Sequence, residues 1–82
     1  MTFEKREGKY YAINESGETV AYIEKNYFGT HGHSRGWKHF AMSKAQNKIV
    51  PAEHLYYFEH DEEIQFAFCN INDFKKYYEG RT

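Results

Sequence analysis

The apolar inventory is the feature of this sequence that most restricts its fold. The 82-residue chain holds eight tyrosines, seven phenylalanines and one tryptophan, but Leu55 is its only leucine. Helical bundles bury stripes of aliphatic residues that this chain lacks. Aromatic and β-branched residues suit the half-buried surface of a pleated sheet. We therefore predict a sheet whose core is filled by aromatic rings, each of which buries a large apolar area.

Length and cysteine content set the broad class. A chain of 82 residues corresponds to one domain, residues 1–82. Cys69 is the only cysteine, so no intrachain disulfide can form, and a lone thiol indicates a reducing cytoplasm. The charged start MTFEKREGK does not resemble a secretory signal, and no apolar run approaches the length of about 18 residues that predicts a membrane span. We expect a cytoplasmic protein with no membrane contact.

Turn chemistry predicts an N-terminal hairpin. The β-prone sequence KYYAI at residues 9–13 precedes the turn NESG, in which Asn14 can bond nearby backbone and Gly17 can adopt positive φ. The run from Glu18 to Phe28 then continues as the second strand, and Phe3 marks a further short strand. Residues 37–48 fit two structures. The spacing of their apolar residues matches one helical face, and their alternation matches a strand followed by a turn, so both remain open.

The sequence beyond residue 50 predicts two helices and a strand. Pro51 suits the first turn of a helix near 51–60. Alternating apolar residues in EIQFAFCN predict a strand near 63–69, in which Phe66 and Phe68 are both expected to be buried. The segment NINDFKKYYEG predicts a C-terminal helix with an asparagine cap and an apolar face. The resulting fold class is α+β: a small antiparallel sheet, formed by the N-terminal hairpin and the strand near 63–69, with the two helices packed on it.

The net charge of −1 conceals two oppositely charged segments. Residues 25–48 carry five basic side chains and no acid, and residues 49–63 carry five acids and no lysine or arginine. Either the basic segment faces an anionic partner, such as nucleic acid or an acidic protein surface, or the two segments lie together and neutralise each other. The basic residues are Lys25, Arg35, Lys38, Lys44 and Lys48, and the acids are Glu53, Glu59, Asp61, Glu62 and Glu63.

The stretch NYFGTHGHSRGWKHF, residues 26–40, is the strongest candidate for a functional site. It combines three histidines, the only tryptophan and three glycines with no acid. Glycines disfavour core packing and the intervening polar side chains are costly to bury, so we predict a surface loop that contacts a partner. The candidate binding residues are His31, His33, Arg35, Trp37 and Lys38.

No catalytic or metal-binding motif is legible. His31 and His33 are two residues apart, but no CxxC or HxxxH pattern accompanies them, so we predict no metal and no cofactor. The remaining histidines are read as ordinary loop or edge residues. Cys69 is read as a small buried residue that completes a strand, because free cysteines are among the most buried residue types.

One resemblance points to an enzyme. The segment GKYYAINESGETVAYIEK is similar to the opening hairpin of GIY-YIG nucleases, with Glu24 where that family has glycine. The resemblance implies endonuclease activity and a site that contains the residues in equivalent positions: Tyr10, Tyr22 with Ile23, Arg35, and Glu53 or Glu59.

Convergent catalytic groups are otherwise absent from the sequence, which favours binding over turnover. We therefore predict a small non-enzymatic binding or regulatory module that engages a protein or anionic partner through the basic, aromatic region at residues 26–40. The alternatives are a nucleic-acid-binding protein, in which cations hold phosphates and rings stack on bases, and the GIY-YIG-like endonuclease.

Overall fold

The computed structural model describes residues 1–25 and 36–80. They form an antiparallel sheet with two helices on one of its faces, which confirms the predicted α+β class. His31, His33 and Arg35 lie outside the described residues. In the described part of the chain, neither helix has the length and apolar character needed to cross a membrane. The strands are β1 (Thr2–Arg6), β2 (Lys9–Ile13), β3 (Thr19–Lys25), β4 (Trp37–Ser43), β5 (Lys48–Pro51) and β6 (Ala67–Phe68), and the helices are α1 (Ala52–Phe58) and α2 (Ile71–Glu79).

The first five strands form a meander in which each strand from β1 to β4 pairs with the next in sequence, and β6 pairs with β4. The predicted hairpin forms from β2 and β3. Asn14 organises its turn, since the side-chain Oδ1 accepts hydrogen bonds from the backbone N–H groups of Ser16 and Glu18. Gly17 adopts a φ of 84° in the same turn. Residues 37–43, which the sequence left open between strand and helix, are β4, because β3 and β5 pair with its two edges.

The predicted strand near 63–69 is much shorter than expected. Only Ala67 and Phe68 pair with β4, opposite Lys38 and Trp37. The reason is competition for one edge: β5 pairs with the same edge of β4 from Phe40 onward, which leaves only the beginning of β4 for β6. The alternation of apolar residues at 63–69 carries no information about whether the edge of β4 is already paired with β5.

The core lies between the sheet and both helices. A row of three alanines, Ala12, Ala21 and Ala41, crosses the centre of the sheet. Their short side chains leave room above the sheet, and the helices fill this space. Leu55 from α1 and Phe74 from α2 belong to the same buried cluster as the alanines.

Helix ends follow the predicted chemistry. Pro51 with φ −56° precedes α1, which ends at Phe58 before the acids that would oppose its dipole. Asn70 caps α2, because its Oδ1 accepts a hydrogen bond of 2.9 Å from the backbone N–H of Asp73. Phe74 and Tyr78 are buried on the inner face of α2.

Gly36, directly before β4, permits the close approach of β6. Its φ is 148°, and a Cβ added there would lie 2.7 Å from the carbonyl oxygen of Phe68. We expect Gly36→Ala to destabilise the fold by about 1–3 kcal/mol, through backbone strain and displacement of β6. Gly17→Ala is the matched control, since Gly17 has a positive φ but nothing within 4 Å of its added Cβ. Chemical unfolding of both variants checks this, and equal losses would contradict the proposed clash.

Candidate binding surface

The two described members of the predicted site lie on β4 and point to opposite faces of the sheet. Trp37 is half-buried on the inner face, opposite Phe68 of β6, and the Nζ of Lys25 lies 6.0 Å from the centroid of its ring. Lys38 points to the outer face, where its Nζ lies 5.4 Å from the centroid of Phe40. The sheet therefore separates Trp37 from Lys38, and Lys38 belongs to a different set of neighbours.

Those neighbours form a row of aromatic rings across the outer face. Tyr11, Tyr22 and Phe40 occupy facing positions on β2, β3 and β4. The ring centroids of Tyr11 and Tyr22 are 5.4 Å apart, and those of Tyr22 and Phe40 are 4.6 Å apart. We call these three residues the outer ladder. Both helices pack on the opposite face, so in residues 1–25 and 36–80 neither helix covers it.

Each ring of the outer ladder has its own cation. The guanidinium of Arg6 lies 5.0 Å from the centroid of Tyr11, and the Nζ of Lys9 lies 5.3 Å from that of Tyr22. Lys38 completes the set at Phe40. Such distances lie within the range of attractive cation–π contacts. The cations and rings therefore hold each other in place across three strands.

Two rings of the outer ladder stand on edge, whereas the ring of Tyr11 is tilted by 45° to that of Tyr22. Tyr22 and Phe40 are stacked with only 14° between their planes. Tyr22 and Phe40 lie on neighbouring strands, so the line between their ring centres runs parallel to the sheet. The planes of stacked rings are roughly perpendicular to that line, and ring edges therefore point toward solvent. The edge of an aromatic ring carries the positive part of its quadrupole. Ring edges and ammonium groups thus present positive potential on the same face.

Two carboxylates moderate this potential. Glu4 on β1 lies opposite Tyr11 on β2, and its carboxylate forms a salt bridge of 3.0 Å with Nε of Arg6. Glu24 lies between Lys9 and Lys38 in the neighbouring row. Burial raises the pKa of the Tyr22 hydroxyl above its ordinary value of 10.0, Lys9 opposes this effect, and Glu24 adds to it. The Tyr22 hydroxyl is therefore protonated at neutral pH and remains a hydrogen-bond donor.

His39 is a core residue, which corrects its expected place in a loop or at an edge. It is fully buried on the inner face of β4. Its Nδ1 lies 2.7 Å from the carbonyl oxygen of Gln65, and its Nε2 lies 2.5 Å from the hydroxyl of Tyr78. A carbonyl only accepts, so Nδ1 donates, and in the neutral imidazole Nε2 accepts from Tyr78. The pair joins β4 to α2 and to the chain before β6, away from solvent.

The two tyrosines implied by the nuclease resemblance lie on opposite faces of the sheet. Tyr10 pairs with Ile23 on the inner face, where it packs against Phe3 and Phe74. Tyr22 lies on the outer face. Glu59 follows α1 and accepts a hydrogen bond from the Ser43 hydroxyl. The sheet therefore separates the two tyrosines that the resemblance would place in one site.

Other candidate chemistry is dispersed. Within residues 1–25 and 36–80, no group of three or more His, Cys, Asp or Glu side chains is arranged to hold a metal ion. Cys69 is exposed just after β6, which corrects the expectation of a buried thiol. The short β6 explains this difference, because the chain leaves the sheet after Phe68.

Sequence reasoning missed the outer ladder. Tyr11, Tyr22 and Phe40 each alternate with inward-facing residues, but their alignment depends on the register of three strands. The available signal was the KYY and AYI pattern on adjacent hairpin strands, which places a tyrosine beside an inward apolar residue in each strand. The comparisons give no further guide: no family model, no curated protein and no solved structure matches the chain.

Proposed function

We propose that this protein is a non-enzymatic binding module that engages an acidic protein segment through the outer ladder and the region at residues 26–40. The observation that carries the proposal is the row of three aromatic rings with one cation each, on a sheet face that neither helix of residues 1–25 and 36–80 covers. Carboxylates fit this surface because ammonium, guanidinium and tyrosine hydroxyl groups all donate hydrogen bonds to them. The single cysteine supports action in a reducing cytoplasm.

An acidic protein segment fits better than nucleic acid. Single-stranded nucleic acids bind aromatic platforms through base stacking on exposed ring faces. The face of Tyr22 is stacked on Phe40, and the rings also have cations beside them. Glu4 and Glu24 lie among the cations and would repel a continuous phosphate backbone. The same carboxylates leave separated cationic positions, which suit the spaced acids of a peptide.

Among residues 1–25 and 36–80, the position of the buried pair His39 and Tyr78 favours binding over catalysis. His39 and Tyr78 are hydrogen-bonded to each other, but they are 0% and 8% exposed, respectively. A substrate would need to displace core aromatic residues to reach them. Their contact supports a structural role, whereas the outer ladder lies where a partner can meet it.

Charge removal tests this proposal. We expect an octaglutamate peptide to bind the protein in low salt, and the double variant Lys9→Gln/Lys38→Gln to bind it about tenfold more weakly, because two ammonium contacts are lost. The matched control Lys44→Gln/Lys48→Gln removes the same charge from the exposed β4–β5 hairpin and should change affinity by less than about twofold. Fluorescence anisotropy of labelled peptide measures all three affinities.

Three results would overturn the proposal. They are the absence of octaglutamate binding in low salt, equal losses in the two double variants, and tighter binding of a ten-nucleotide oligothymidylate than of octaglutamate. The last result would favour the nucleic-acid alternative.

A further variant, His33→Ala/Arg35→Ala, tests the predicted surface loop at residues 26–40. It should weaken octaglutamate binding and change the free energy of unfolding by less than about 0.5 kcal/mol, as surface substitutions usually do.

A further inference from the structure

A second surface of opposite character lies on the helical side of the molecule. A cleft of about 920 Å³ opens between α1, the chain at residues 64–69 and α2. Its aromatic lining consists of Tyr56, Tyr57, Phe66, Phe68 and Tyr77. Tyr57 is 54% exposed, so a large aromatic surface remains in contact with water. Exposed apolar surface of this kind marks interaction sites in soluble proteins.

At one end of the cleft, Tyr56 packs nearly at right angles to the rings of Tyr57 and Phe66, which are tilted by 42° to each other. The planes of Tyr56 and Tyr57 are 90° apart with centroids 4.9 Å apart, and those of Tyr56 and Phe66 are 82° apart at 5.2 Å. In an edge-to-face pair, one ring makes the contact with its edge, and its partner covers neither of its two faces. We call these three residues the aromatic corner. Tyr57 is the most exposed ring of the three, and the faces of an aromatic ring carry the negative part of its quadrupole.

Carboxylates reinforce that negative potential. Asp73 lines the cleft from the first turn of α2 and is exposed. Glu62 and Glu63 are exposed and directly precede Ile64, which also lines it. Lys76 is the cation in the lining, and it lies one helical turn from Asp73. Asp73 and Lys76 therefore both line the cleft, and two further acids, Glu62 and Glu63, adjoin its lining in sequence.

We propose that this cleft binds an arginine-containing segment of a protein partner, with a guanidinium group seated in the aromatic corner. A guanidinium is planar and weakly hydrated, so it stacks on aromatic faces while its N–H groups reach neighbouring carboxylates. The cleft is larger than one guanidinium group, so an extended peptide fits with it. This surface is independent of the outer ladder, which lies on the opposite face of the sheet and has the opposite charge preference.

An octaarginine peptide is the direct probe, and an octacitrulline peptide is its neutral, nearly isosteric control. We expect octaarginine to bind at least about tenfold more tightly than octacitrulline, because only the charged group gains from ring faces and carboxylates. Nuclear magnetic resonance should show octaarginine-induced shifts of residues 56, 57 and 66. Equal binding of the two peptides, binding of neither at 1 mM, or shifts confined to other residues would overturn the proposal.

Variants separate ring recognition from simple charge attraction. Tyr57→Leu keeps an apolar side chain but removes the ring, and we expect octaarginine affinity to fall about tenfold. Phe58→Leu is the matched control, because Phe58 is 72% exposed on the same helix but does not line the cleft. It should change affinity by less than about twofold. An unchanged affinity in Tyr57→Leu, or an equal loss in both variants, would overturn the role of the aromatic corner. Both positions are exposed, so circular dichroism should show an intact fold in each variant.

Discussion

Phe68→Ala is expected to destabilise the protein by about 3–5 kcal/mol, which is the usual cost of removing a buried phenylalanine. Phe68 is 3% exposed and contacts the rings of His39, Phe74 and Tyr77 at centroid distances of 5.1, 5.5 and 5.3 Å. The cavity would lie between the sheet and α2, where the small core has little other material to fill it. Domains of this size are stable by about 5–15 kcal/mol in total, so the variant should be largely unfolded on mild heating.

Phe66→Ala is the matched comparison. The sequence predicted that both phenylalanines are buried, but Phe66 is half-buried and lies at the aromatic corner rather than in the central cluster. We expect its truncation to cost about 1–2 kcal/mol, in proportion to the smaller apolar area removed from water. Urea unfolding of both variants measures the difference. Equal costs would show that Phe66 contributes to the core as much as Phe68.

The second large effect is expected at His39. His39→Leu removes the hydrogen bonds from Nδ1 to the Gln65 carbonyl and from the Tyr78 hydroxyl to Nε2. The polar atoms that faced the imidazole stay in a buried region, and each such loss costs about 1–3 kcal/mol. We therefore expect a loss of about 2–4 kcal/mol in the free energy of unfolding, although leucine is more apolar than histidine.

Tyr78→Phe separates the two hydrogen bonds of His39. It keeps the ring in the core and removes only the hydroxyl, so we expect a smaller cost of about 1–2 kcal/mol. The double variant His39→Leu/Tyr78→Phe should then cost less than the sum of the single variants, because the hydroxyl has already lost its imidazole partner. Chemical unfolding of the set measures this coupling. Strict additivity, or a His39→Leu variant as stable as the parent, would contradict a stabilising His39–Tyr78 bond.

The binding proposals depend on different surfaces and fail separately. Loss of octaglutamate binding concerns Lys9 and Lys38 on the outer face. Loss of octaarginine binding concerns Tyr57 on the helical side. Because the sheet lies between these surfaces, a side chain substituted on one surface does not reach the other surface. A module with one cationic and one anionic docking surface would be able to join two partners of opposite charge.

Local sequence determined most of the secondary structure. Asn14 and Gly17 fit the turn that joins β2 to β3, Pro51 fits the start of α1, and Asn70 fits the cap of α2. These predictions succeeded because each depends on the conformational preference of one residue and on its nearest neighbours. The scarcity of leucine and the abundance of aromatic residues also indicated an aromatic core on a sheet, for reasons of composition alone.

Tertiary structure decided which aromatic residues are core and which form surfaces. Tyr10 and Tyr11 are adjacent and chemically identical, yet strand alternation sends Tyr10 to the core and Tyr11 to the outer ladder. Competition between β5 and β6 for one edge of β4 shortened the strand predicted near 63–69 and left Cys69 exposed. His39 became a core residue only because α2 and residue 65 supply its hydrogen-bond partners. These outcomes depend on contacts between residues far apart in sequence, and local propensity carries no information about them.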